Sequence, residues 1–228
     1  MCFSATANFV GGTVVTGIGI ATLAQVRHPR EVPLAALPAL FGLHQFTEAF
    51  VWLGLEGHIP RSVGDAAAYL YLLYAQGVLP VLFPLALLLI EPSTRRRWII
   101  TPFVILGAAC GNYLFWIDAG HPVSYRIMNN SIAYHNSGSL VSVFAVVYVI
   151  AVCGGALASG YRWIVVFGIA NLIGLTTVEI LLATSFTSVW CAYAAVVSVV
   201  LLIFFRRQQR HNPFAAREPR PTPRALHE

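Results

Sequence analysis

The stretch His44-Gln45-Phe46-Thr47-Glu48-Ala49-Phe50-Val51-Trp52 decides how the chain is read. It lies inside an apolar run from Pro33 to Leu55, long enough to cross a bilayer as a helix. On a helix His44, Glu48 and Trp52 are four residues apart and share one face. A charged carboxylate near the middle of such a segment costs about 2.5–3.5 kcal/mol on insertion scales. A residue retained at that cost marks a candidate site.

Composition agrees with a membrane setting. The chain has 228 residues, 57% hydrophobic and only 10% charged, against roughly 25% charged in soluble domains. The net charge is +5, and every basic residue among Lys and Arg is an arginine. Without lysine there is no retinal Schiff base and no lysine nucleophile. The arginines gather at the ends of apolar runs and in the tail, as topology signals do, so they do not indicate nucleic acid. The four cysteines, Cys2, Cys110, Cys153 and Cys191, show no C-x-x-C or zinc-finger spacing. Cys110 and Cys153 fall in apolar runs, where cysteine is a small core residue. The N-terminus lacks the basic region and cleavage site of a signal peptide, so its first apolar run is expected to be kept.

Seven runs reach spanning length: 8–26, 33–55, 66–90, 98–117, 139–158, 163–184 and 187–205. The expected fold is therefore all-α, a bundle of seven transmembrane helices over residues 1–205. Residues 206–228 follow as a basic, proline-rich, disordered tail. Pro80 and Pro84 predict a kink in the third run. Glycines at 11, 12, 17 and 19 permit close helix approach, within the chain or in a homo-oligomer. Twelve of the fourteen arginines fall in alternate links and the tail. The positive-inside rule then sets the N-terminus outside and the C-terminus in the cytoplasm of an inner membrane.

With that orientation the costly polar residues collect in the outer half. Glu48, Glu179, Asn112, Gln76, Cys2, Trp52 and Asp118 are the expected lining of an outward-facing pocket for a small molecule, lipid or metal. Trp52, with Trp116 and Trp190, also fits the aromatic belt of an interface. His44 and Glu48 are candidate ligands for a divalent metal, resembling half of a helical zinc motif. Glu179 and, from the link 118–138, His121 or His135 would complete the set. The plain alternative is an interhelical hydrogen-bond pair. Cys2 admits three readings: a disulfide with Cys191, an N-terminal chelator or nucleophile, or an apolar anchor. Two other function classes stay open, a metal- or Cys-dependent membrane enzyme and a transporter. The expected partners are membrane lipids and a small ligand.

The opening MCFSATANF and the segment RHPREVPLAALPALFGLHQFTEAFVWLGL at 27–55 resemble a family of bacterial multi-pass membrane proteins of unknown function, whose members begin MCFSAxASF. Asn8 stands where that pattern has Ser, His44 where it has Gln, and Ala49 where it has Gly. The resemblance implies that Cys2 and Glu48 weigh more than His44. It also lowers the metal reading, since a metal ligand does not ordinarily alternate with glutamine.

Overall fold

The structure is a computed structural model that describes residues 4–120, 124–128, 131–135, 141–182, 193 and 197–208. Helix α1 spans Ala5–Leu23 and is capped by Ser4, whose side chain accepts from the Ala7 N–H at 3.1 Å. The following turn is closed by a reciprocal cap. Glu31 accepts from the backbone N–H of Arg27 (2.9 Å) and His28 (3.2 Å), and the His28 ring accepts from the Arg30 N–H. Helix α2 runs Val32–Leu55. It stops at Gly57, whose φ of 77° lets the His58 N–H turn back to the Leu53 carbonyl at 2.9 Å.

A long rod follows: α3 (Arg61–Leu72), a π-helical segment (Leu73–Val78) and α4 (Leu79–Ile90). The widened turn sits just before Pro80, whose ring would clash with the carbonyl four residues back and which has no N–H to donate. Helix α5 is Thr94–Gly120. Strands β1 (Ser124–Met128) and β2 (Ser131–His135) pair antiparallel, with Tyr125 opposite Tyr134 and Ile127 opposite Ile132. Helices α6 (Val141–Leu157), α7 (Arg162–Leu182) and α8 (Val199–Gln208) complete the described chain.

Small residues set the helix spacing. A Cβ on Gly19 would collide with the Ala39 backbone, and one on Gly42 would lie 2.7 Å from the Thr16 N. One on Gly12 would meet the Phe46 ring at 2.9 Å. These pairs give a single antiparallel register between α1 and α2. Gly54 and Gly64 make the same kind of contact between α2 and α3, and Gly107 packs on the Pro80 carbonyl between α4 and α5. Close backbone approach matters here because lipid tails are as apolar as leucine, so burial alone does not hold helices together in a bilayer. The main core joins α2, α4, α5, α6, α7 and α8 through residues such as Leu37, Phe83, Leu87, Ile100, Phe167 and Leu201. Cys110 and Cys153 are buried and outside any disulfide among the described residues, as their apolar runs predict.

Two expectations are corrected. Among the described residues four helical stretches are long and apolar enough to cross a membrane: Ala5–Leu23, Pro29–Leu55, Arg61–Ile90 and Thr94–Ile117. Among the described residues the next two apolar stretches, Val146–Leu157 and Arg162–Thr177, fall short of that length. The described helix at the end of the 187–205 run has 10 residues, a rise of about 15 Å against a core of about 30 Å. Seven crossings are thus not met, and the orientation falls with them, as do the outer and inner depths drawn from it. Nor are the described residues all helical, because the link 118–138 contains a hairpin. Its alternating Tyr125, Ile127, Ile132 and Tyr134 suit a pleated surface.

Gly19→Leu should lower stability by about 1–3 kcal/mol through overpacking against Ala39. Gly17→Ala, where a Cβ meets nothing within 4 Å, should leave stability nearly unchanged. Thermal melting of both variants in detergent checks the close approach.

Candidate functional site

The face of α2 that opens on His44 is turned inward. His44 is 3% exposed, and Gln45 and Glu48 are fully buried. Trp52 is buried one turn further on, in a cluster with Ala5, Val51, Ala67, Ala68, Tyr125 and Ile132. It is therefore a packing residue beneath the hairpin. Trp116, at 71% exposed, keeps the character expected of an interfacial aromatic. Helices α1 and α3 flank this face. The α1–α2 register brings the fully buried Asn8 to the height of Glu48 to Trp52. Phe9, tilted against Phe46 at 6.1 Å and edge-on to Phe50 at 5.8 Å, marks the same level.

A column of rings leads from the hairpin into this centre. Tyr125 lies 6.2 Å from Tyr134, Tyr134 stacks on Tyr71 at 4.9 Å, and Tyr71 stacks on His44 at 3.9 Å with planes 11° apart. Tyr74 also touches the imidazole, tilted by 47° at 4.8 Å. The imidazole is held by its faces, and neither Nδ1 nor Nε2 has a hydrogen-bond partner among the described residues. A neutral imidazole carries one donor and one acceptor, and a group left unmet in a buried place costs about 1–3 kcal/mol.

The outer end of the column is pinned by charge. The Tyr125 hydroxyl donates to Asp65 Oδ1 at 2.6 Å. Arg61 Nε donates to the same oxygen at 3.2 Å, and the Arg61 guanidinium lies 4.6 Å above the Tyr125 ring. Burial and the bond to Asp65 push the Tyr125 phenol up to about 12, with Arg61 pulling the other way. The hairpin is thereby fastened to the first turns of α3.

The expected site residues divide into groups. His44 and Glu48 sit together on α2. Gln76, half-buried, and Asn112 flank the crossing where Gly77 meets Gly111. Asn112 is exposed and donates to the Ala108 carbonyl of its own helix at 2.8 Å. Glu179 and His135 are placed in α7 and β2 by their backbone, and Asp118 near the end of α5; their side chains lie outside the described residues. So do Cys2, Cys191 and His121. Among the described residues no three His, Cys, Asp or Glu side chains come together as metal ligands. Asn8, Tyr71, Tyr74 and Tyr134 were not among the expected site residues. The signal for the tyrosines was their spacing: Tyr71 and Tyr74 are three apart, on one helical face.

The family profile of DUF6629, a family of unknown function, matches residues 1–217. The chain belongs to DUF6629. The expected membership of a family of unknown function thus extends over nearly the whole chain, well beyond the first quarter that carried the resemblance. No curated protein and no solved structure matches the chain significantly.

Tyr125→Phe should cost about 1 kcal/mol, since its partner Asp65 is half exposed. Folded protein keeps the phenolic proton that the unfolded chain releases above its ordinary value of 10. Wild-type stability should therefore fall between pH 10 and about 12. Melting curves across that window should show this slope in wild type and a shallower one in Tyr125→Phe.

Proposed function

We propose that this DUF6629 protein is an integral membrane protein that binds a small polar ligand between α1, α2 and α3, at the level of His44 and Glu48 and beneath the hairpin. The membrane setting is supported by the four long apolar helices. The opening residues, which resemble bacterial multi-pass proteins, favour a bacterial inner membrane. One observation carries the ligand reading: His44 is fixed by ring stacking while both its nitrogens lack a partner among the described residues. A ligand offering an acceptor and a donor would satisfy both. Asn8, Gln45 and Glu48 supply further polar groups at neighbouring heights. Glu179, Cys2 and Asp118 are proposed to complete the site's wall.

Hydrogen bonding accounts for position 44 better than metal ligation does. In the resembled family a glutamine stands there, and a glutamine side chain also offers one acceptor together with donors. Both residues can bind the same polar group, whereas only imidazole is a common ligand for a metal ion.

Native mass spectrometry of the full chain in detergent should reveal a bound small-molecule mass. His44→Gln should keep that adduct. His44→Phe, which preserves the stack and removes both nitrogens, should lose it at least about tenfold, the equivalent of one 1.4 kcal/mol interaction. An adduct-free wild type that His44→Phe makes more heat-stable would show that His44 serves packing alone. A metal in elemental analysis that vanishes in both variants would replace hydrogen bonding by coordination.

A further inference from the structure

The end of the bundle remote from the hairpin is built on arginine. Three spanning stretches meet there: Pro29–Leu55 begins, Arg61–Ile90 ends and Thr94–Ile117 begins. Between them lies an open groove of about 520 Å³ whose lining includes Arg30, Leu88, Leu89, Arg97, Trp98 and Thr101. Its place at the ends of three apolar helices puts it at the depth of lipid headgroups, whichever face of the membrane it meets. Trp98 is 74% exposed there, as tryptophan at a headgroup boundary commonly is.

The nearby carboxylates face elsewhere. Glu91 is buried and accepts from the Gly160 N–H at 2.9 Å, tying α4 to the turn before α7. Glu31 caps the turn between α1 and α2. Arg96 donates to the carbonyls of Ala158 and Ser159 at 3.2 and 3.1 Å, and Arg207 covers Trp163 at 4.8 Å. The two groove arginines differ from these. Arg97 uses Nε on the Glu91 carbonyl at 2.6 Å, which orients the rest of its guanidinium. The Arg30 side chain makes no hydrogen bond or ion pair to a described residue. Two cationic forks thus stand over an apolar wall formed by Leu88 and Leu89, with a tryptophan at the edge. That is the profile of one ligand class: a phosphate-bearing headgroup with an acyl chain below it.

We infer that this groove holds the phosphate of an anionic phospholipid, with Arg30 and Arg97 binding the phosphate and Leu88 and Leu89 packing on the upper acyl chain. The site is separate from the His44 centre and stands whether or not that centre binds a ligand.

The full chain, reconstituted in vesicles of equal phosphatidylglycerol and phosphatidylcholine with matched chains, tests it by native mass spectrometry of retained lipids. Wild type should prefer phosphatidylglycerol, and each groove arginine should account for about a fivefold share of that preference. Arg30→Gln, which breaks no side-chain bond, should lose its share with melting unchanged; adding Arg97→Gln should abolish the preference. Arg61→Gln, at the other end, should leave it intact. Equal retention of the two lipids by wild type, or a preference indifferent to Arg30→Gln, would overturn the assignment. Displacement of the lipid by excess inorganic phosphate would reassign the groove to a free anion.

Discussion

Everything at the candidate site depends on how closely α1 lies against α2. Glycine at 12, 19 and 42 removes the side chains that would hold the two backbones apart. The helices can then meet along one antiparallel register without a hydrophobic drive from water. That register buries Asn8 beside the polar face of α2 and turns Gln45 and Glu48 wholly inward. Wider spacing would leave the same residues facing lipid, at several kcal/mol by order of magnitude. Small residues in α1 thus make costly residues in α2 tolerable.

A second constraint works from the opposite direction. Gly54 and Gly64 bring α3 to α2, which sets Tyr71 flat on His44. The hairpin extends that stack through Tyr134 and is fastened through Tyr125 to Asp65. The imidazole is thereby oriented by face contacts alone, and its hydrogen-bonding edge is left for another group. The π-helical turn at Leu73–Val78 belongs to the same arrangement, since it lies in the rod between Tyr71 and Pro80.

The two ends of the bundle have different chemistry. One carries the hairpin, with Arg61, Asp65 and Tyr125 in mutual contact. The other carries Arg30, Arg96, Arg97 and Arg207, with its buried carboxylates committed to backbone caps and turns. A charge difference of this kind is what anionic headgroups read.

Much of this was legible in the chain itself. Low charge and long apolar runs pointed to helices long and apolar enough to cross a membrane, the prolines in the third run marked where its helix is disturbed, and the burdened face from His44 to Trp52 pointed to the polar centre. These follow from local composition and helical period, which need no partner. The number of crossings was overread: among the described residues four helical stretches are long and apolar enough to cross a membrane. The hairpin was missed because its apolar alternation is short and sits in a polar link. Trp52 was read as an interfacial residue because depth alone cannot tell a lipid-facing indole from one covered by a hairpin. Only the tertiary structure decided that His44 meets Tyr71 and Tyr74, that Asn8 joins the same level, and that Arg30 stands beside Arg97. Each of those contacts joins segments far apart in the chain, and their meeting is set by glycine registers between helices.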